Sequence, residues 1–437
     1  MAKDLVTRLA WMFGLLLVYK FGAHVPMPGV DSQALSEFFR LKTEGTVFSI
    51  FNMFSGGALG QMAILGLGIG PYISSSIIFQ ILTVMSPKFE RLQKDGEEGR
   101  RKIAQYTRYL TVAIALVQGY IFASQVEAAN LNGQAIVETG GLTFRLMTAV
   151  LLTSGAMFTM WLGEQITDRG IGNGASLLIY VGIASSLLPG ANKLWSSLQN
   201  NTMNWGMLLL LLGIMVAVIA FIVFFEQAQR RVPIQYARRQ VGRKVYGGQD
   251  AKLPLKINAA GVIPPIFAST LIYFPATLLT VFGLTGPWAE TIRSMFSAGN
   301  FAYNIFFVIG IVFFCFFYTA VTQNPNDMAE NLRKSGAYVP GIRPGRHTAQ
   351  FFDTIITRLT FIGAIYLSAV CVLPTILINQ FRVDIFFGGT SLLILVGVAL
   401  DTMSQIQSHL LNLNYEGFIK EAKLRGRGAS GAGTPAR

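Results

Sequence analysis

Residues 65–76 read LGLGIGPYISSS and lie inside a long apolar run. Gly66, Gly68, Gly70 and Pro71 stand where a membrane-spanning helix wants strong helix formers, because Gly and Pro are the least favourable residues in a helix interior. Ser74, Ser75 and Ser76 follow, small and mildly polar. The stretch reads as a span that is broken at its start. Pro71 suits the first turn of a helix, where a missing N–H costs nothing. Ile69 and Ile73, four apart, share one face of that turn.

The rest of the chain supports a membrane setting. It has 437 residues, 52% hydrophobic and 13% charged, with mean hydropathy +0.48. Soluble domains carry about 25% charged residues. Several runs approach or exceed the roughly 18 apolar residues that read as a transmembrane helix. Ten spans are expected, near 9–25, 63–86, 108–126, 143–162, 173–189, 205–225, 257–283, 302–322, 358–379 and 388–408. The first of these has no small-residue cleavage site and is expected to stay as a span. With both ends in the cytoplasm, 28 of the 35 Lys and Arg fall in the inner segments. That bias is the one that orients membrane proteins. It accounts for most of the net charge of +13 and leaves little for a nucleic-acid reading of charge alone.

Ten spans divide into two sets of five, and an odd repeat puts the second copy upside down in the membrane. GIGPYISSSII from Gly68 and GVIPPIFASTLI from Gly261 share G-x-x-P-x-I. GASLLI (174–179) and GTSLLI (389–394) match at the fifth span of each half. The expected division is 1–190, 191–415 and a solvated tail, 416–437. The repeat pairs Ile73 with Ile266 and Ile179 with Ile394, so these four can converge near mid-membrane.

Other chemistries lack their residues. Span centres hold almost no charge, whereas ion and proton paths are marked by it. Glu164 and Asp401 fall near span ends, where solvated or capping roles are expected. No zinc-protease, phosphate-loop or nucleophile-elbow signature occurs. Cys315 and Cys371 lie in apolar runs and read as core hydrophobes. A secondary transporter of small solutes is the alternative reading, since inverted repeats and broken helices fit it too. The missing mid-membrane charges and heavy inner loops count against it.

Two inner loops are long, 226–257 and 323–357. In the first, RRVPIQYA and RKVYGG have strand-like spacing and predict a protruding two-stranded hairpin. Its basic residues, among them Arg238, Arg239, Arg243 and Lys244, suit an acidic partner or RNA phosphates. In the second, VPGIRPG holds Arg343 between two Pro-Gly turns, a rigid contact point.

FNMFSGGAL (51–59), GIGPYISSSII (68–78), GEEGRRKIAQYTRY (96–109), WLGEQITDRGIGNG (161–174), FFCFFYTA (313–320), NLRKSGAYVPGIRPG (331–345) and FGGTSLLI (387–394) closely resemble the bacterial SecY family. That family forms the protein-conducting channel of general secretion. The resemblance implies an all-α membrane protein, a clamshell of two inverted five-helix halves around an hourglass pore. It puts the pore ring on Ile69, Ile73, Ile179, Ile266 and Ile394, with the small Ala175 at a sixth family position. It implies a plug helix near 57–67, including Gly57, Ala58, Leu59, Gly60, Gln61, Met62, Ala63, Ile64 and Leu65. A side exit into lipid would open between spans two and three and spans seven and eight, with Gln118 and Asn258 at polar gate positions. Ser74, Ser75 and Ser76 would form the small gate edge facing span seven. The implied partners are SecE and SecG, the SecA motor ATPase, the ribosome, signal sequences, unfolded secretory chains and lipid. The SecA and ribosome contacts would fall on the basic loop and Arg343. No cofactor and no enzymatic role are implied. The implied place is the bacterial inner membrane.

Overall fold

The computed structural model describes all residues except 1, 31–34, 37–51, 53, 129, 132–133, 136, 138–139, 201–203, 237–238, 242–243, 247–249, 282–285, 297–299, 382–387 and 430–437. The fold is all-α apart from short strands. Among the described residues, eight helices are long and apolar enough to cross a membrane. Two shorter apolar stretches, Gly70–Met85 and Ile263–Ile272, bring the set to the ten expected.

In chain order the helices are α1 (Ala2–Gly22), α2 (Gly70–Met85), α3 (Pro87–Lys94), α4 (Gly96–Ala128), α5 (Leu142–Arg169), α6 (Gly174–Gln199) and α7 (Trp205–Gln227). They continue as α8 (Ile263–Val281), α9 (Pro287–Met295), α10 (Phe301–Thr322), α11 (Pro325–Lys334), α12 (Arg346–Phe381) and α13 (Gly389–Ala429). The last of these carries helix to Ala429, into the tail expected from residue 416.

The motifs matched in sequence also match in backbone. Gly68 and Gly261 both take left-handed φ values, 55° and 63°, a region open to Gly without penalty. Pro71 and Pro264 each follow in the first turn of a helix, α2 and α8. Gly174 and Gly389 each open a helix, α6 and α13. A methyl group on Gly174 would strike the carbonyl of Gly163 on α5, and one on Gly389 the carbonyl of Val370 on α12. The two copies therefore use the same glycine for the same close approach to the preceding helix.

The main apolar core joins α1, α2, α5, α6, α7, α8, α10, α12 and α13. A second cluster gathers Met27, Leu59, Met62, Phe122, Phe144 and Leu152 at the other end of α4 and α5. A third, built on Val232, Leu255, Val339 and Phe352, lies under a three-stranded sheet.

That sheet corrects the predicted hairpin. In chain order the strands are β1 (Asn130–Leu131), β2 (Gln134–Ala135), β3 (Gln229–Tyr236), β4 (Arg239–Val241), β5 (Lys244–Tyr246), β6 (Asp250–Lys256) and β7 (Ala337–Tyr338). Strand β3 pairs antiparallel with β6, with Val232 opposite Leu253. RKVYGG instead supplies Lys244–Tyr246, which pairs with Arg239–Val241 in a separate small ladder. Ala337–Tyr338 joins β3 on its other side. Burial decides the pairing. Val232, Ile234 and Leu255 face Phe352 and Ile356 of α12, and 250–256 has the alternation that completes this face, as a half-buried sheet requires.

Candidate pore and its seals

Four helix segments converge on one cavity of about 170 Å³. Ile73 comes from α2, Ile179 from α6, Ile266 from α8 and Ile394 from α13. Ile179, Ile266 and Ile394 are buried in the main core, and Ile73 is half-buried against it. Ala175 lines the same space. From each isoleucine the lining continues toward one helix end, to Gln80, Asn173, Val262 and Val398. The isoleucines thus form the apolar floor of a mouth whose sides mix Gln80 and Asn173 with Val262 and Val398.

Ile69 is the exception among the five. It caps the start of α2, is 5% exposed, and does not line the cavity. Its Cδ1 lies 3.3 Å from where a Cβ on Gly163 would be. It packs against α5, one turn away from the open space.

The head of α6 is held by a side-chain network. Asn173 Oδ1 accepts from the backbone N–H of Ala175 at 3.0 Å, a regular N-cap. Gly174 N–H donates to Thr167 Oγ1, and that hydroxyl donates to the Gly163 carbonyl, both at 2.9 Å. This fixes Ala175 and Ile179 relative to α5.

The plug-like segment is present but is not a helix. Residues 55–69 run as successive turns. Gly56, Gly57 and Gly68 have positive φ, and so does Met62 at 48°. Met27 N–H donates to the Met62 carbonyl at 2.9 Å, and Ile64 N–H to Val25 at 3.0 Å. Asn52 Oδ1 accepts from Gly60 N–H at 2.7 Å, and Ser55 Oγ accepts from Leu59 N–H. Ala58, Leu59, Met62, Ala63 and Leu65 are buried, and Gln61 faces outward. The glycines explain the departure from helix, since each positive φ breaks the helical path.

The serine edge is split by the fold. Ser75 is fully buried and donates to the Thr107 carbonyl at 2.7 Å. It fastens α2 to α4 rather than facing α8. Ser76 does line the cavity, across from Ile266 and Phe267, while Ser74 is half-buried. Gln118 lies on α4 with its Oε1 buried and without a hydrogen-bond partner among the described residues. Asn258 commits its amide elsewhere. Its Nδ2 donates to Glu226 Oε1 at 2.6 Å and to the Gly261 carbonyl at 3.1 Å.

Two carboxylates differ from their sequence reading. Glu164 is not simply solvated but receives two bonds from Arg108, at 3.0 and 2.9 Å. Glu226, placed at the start of a loop by sequence, sits in the last turn of α7 under Asn258. Neither pairing has a local signal, because the partners lie 56 and 32 residues apart. Asp401 meets Lys256 at 3.4 Å, tying the base of the β3–β6 sheet to α13.

Of the basic docking residues, Arg238 and Arg243 lie outside the described residues. Arg239 and Lys244 occupy the two strands of the small ladder. Arg343 is exposed between Gly341 and Gly345, whose φ values are 81° and 106°. Among the described residues no group of His, Cys, Asp and Glu could hold a metal ion. Cys315 and Cys371 are both buried.

A family model described as SecY matches residues 63–403. The chain belongs to the SecY family. It is 48% identical to the protein translocase subunit SecY of Pseudomonas aeruginosa, over 98% of this chain and 96% of that protein. A solved structure described as a protein conducting channel aligns over 92% of both chains with TM-score 0.68 and 18% identity. Sec61 in a canine ribosome–channel complex aligns over 92% of both chains with TM-score 0.64 and 17% identity. The family is one of channels, not of enzymes, and its multi-pass fold agrees with the ten apolar helices.

Proposed function

We infer that this chain is the channel-forming subunit of a protein translocase, passing unfolded secretory chains across the membrane and releasing apolar segments sideways into lipid. The observation that carries the reading is the convergence of Ile73, Ile179, Ile266 and Ile394, from four helices, on one cavity. The membership in a translocase family supports it. An apolar constriction gates by dewetting. It offers no hydrogen-bonding group to hold a passing side chain, so residues of every type can slide through. Ile69 stiffens this floor from behind, against α5. Segment 57–65 serves as the plug on the far side. The mouth that narrows from Gln80 and Asn173 would receive the entering chain.

The division into halves 1–190 and 191–415 rests on the paired glycines and prolines. The lateral exit would open where Ser74 and Ser76 of α2 meet α8. Asn258 would control α8 from its base, and Gln118 would offer its buried oxygen on the α4 side. The sequence carries no phosphate-binding loop, so the driving energy would come from an outside motor. SecA or the ribosome would dock on the basic loop that carries Arg238, Arg239, Arg243 and Lys244, and on Arg343. SecE and SecG would cover lipid-facing helices. The protein would sit in the bacterial inner membrane with both termini in the cytoplasm.

Replacing Ile73 with Gly, or Ile266 with Ser, tests the ring. Each variant is expected to raise resting ion conductance in reconstituted vesicles several-fold. Conductance equal to the parent channel overturns the assignment.

A further inference from the structure

Segment 55–69 rides against two helix glycines that no role above uses. A methyl group on Gly155 of α5 would strike the carbonyl oxygen of Ile64. One on Gly182 of α6 would strike the carbonyl oxygen of Phe54 and come within 3.2 Å of the Gly56 nitrogen. Gly56 is itself glycine for the reciprocal reason, with φ 69° and the Gly182 Cα 3.0 Å from its own Cβ position. In each case the obstacle is backbone, which cannot swing aside as a side-chain tip can.

Gly174 and Gly389 are crowded in the same way, but by the backbone of a neighbouring helix and not by this segment. Gly14, Gly206 and Gly213 have nothing within 4 Å of an added Cβ. The notches at 155 and 182 are the ones filled by the chain from Phe54 to Ile64. Between them the same segment buries Leu59 and Met62 beside Phe122 and Leu152. Helix α5 is braced from behind, since a methyl on Gly119 of α4 would already press on Ala149 at 3.1 Å. An added methyl at 155 must therefore displace the turn segment, because a braced helix yields less than a chain of turns.

We propose that Gly155 and Gly182 are the seat of the plug, positioning residues that hold segment 55–69 against α5 and α6 in the shut channel. The proposal rests on the plug reading of that segment. It assigns the resting seal to two small notches outside both the ring and the plug.

The test uses the full chain, isolated with the membrane subunits that accompany it and placed in vesicles. Gly155→Ala and Gly182→Ala are compared singly, with Gly213→Ala as the control. Each seat variant is expected to raise resting leak of a small dye several-fold, and Gly213→Ala to leave it unchanged. Leu59→Cys, at a position 1% exposed, reports the plug directly. An impermeant maleimide is expected to label it slowly in the parent and many-fold faster beside Gly155→Ala. Deleting 57–65 is expected to raise leak by itself and to abolish any further effect of either alanine. Folded variants with parental leak and parental labelling overturn the seat. So does a leak that adds in full on top of the deletion. If the deletion alone leaves leak unchanged, the plug reading fails, and the seat falls with it. The notches lie on different helices, so a variant that does not fold leaves the other to decide.

Discussion

Asn258 donates one amide to Glu226 Oε1 at 2.6 Å and to the Gly261 carbonyl at 3.1 Å. The bond joins the end of α7 to the turn that starts α8. Between these points the chain leaves for the β3–β6 sheet and returns, closing with Ile257 N–H on the Ala228 carbonyl. Asn258 is 5% exposed. Removing one partner of a buried bond costs about 1–3 kcal/mol, more where the orphan is charged. Asn258→Ala is expected to lower the thermal midpoint of the purified protein, and Asn258→Ala with Glu226→Ala to recover part of the loss. A single-variant midpoint equal to the parent would remove the pairing from the account.

Gly174 and Gly389 let α6 and α13 touch the helices before them. Alanine at either would force backbone apart, and overpacking typically costs about 1–3 kcal/mol. Gly174→Ala and Gly389→Ala are each expected to reduce the folded yield and export activity. Gly213→Ala, on an open face, is expected to do neither. Equal behaviour of all three would show that the close approach is not needed.

The fate of these glycines also says what can be read from sequence. G-x-x-P-x-I and G-[AT]-S-L-L-I were visible because glycine at a forced backbone position leaves an identity, not just a hydropathy. Ten spans were visible for the same kind of reason, since length and apolarity are properties of each segment alone. Turns at 55–69 were less visible. The run MAILGLGI (62–69) suits a helix as well as a turn, and the left-handed residues and the packing against α5 and α6 decide. The partner of RRVPIQY was hidden because two nearby segments had strand character, and the choice is made by Phe352 of α12, over 100 residues away. Ser75 looked like a gate residue from its neighbours, yet its hydroxyl is used by Thr107. Gly155 and Gly182 carried no signal, because small residues are common in membrane helices.

Arg108 and Glu164 form a two-bond pair between α4 and α5. The side chains retain 46% and 26% exposure, so solvent weakens the pair. Exposed pairs contribute about 0.2–1 kcal/mol, and the paired geometry places this one toward the upper end. A double-mutant cycle with Arg108→Gln and Glu164→Gln is expected to give a coupling in that range, and smaller at high salt. Zero coupling at low salt would mean that the pair only fills space.

Helix α3 lies between spans, and there Lys94 donates to Glu90 at 2.6 Å. The bond holds the Glu90 carboxyl below its usual range and raises the Lys94 amine. A lowered acid stabilises above its unfolded value and loses that contribution as pH falls through the folded one. A raised amine stabilises below its unfolded value and loses it as pH rises through the folded one. The pair therefore holds across the neutral range and weakens at both ends. Lys94→Met is expected to move the Glu90 titration upward toward about 4.3, the ordinary glutamate value, followed by NMR on labelled carboxyls. An unmoved titration would show that the bond does not form in solution.

Ala175 is a small residue on the wall to which Ile73, Ile179, Ile266 and Ile394 contribute. It lies one turn from Ile179 on α6 and lines the same cavity as Ile73, Ile266 and Ile394. The space is about 170 Å³, and a β-branched side chain at 175 would fill part of it without a polar atom. The backbone at 175 is fixed by the Asn173 cap, so the new side chain cannot retreat by shifting α6. Ala175→Ile is expected to lower resting conductance several-fold below that of the parent and to slow export, because the larger floor must part for each passing chain. Ala175→Gly is expected to change conductance little, since the four isoleucines still meet. If Ala175→Ile conducts and exports like the parent, the cavity is not the constriction. The barrier would then lie with the turn segment on the other side of Ile69.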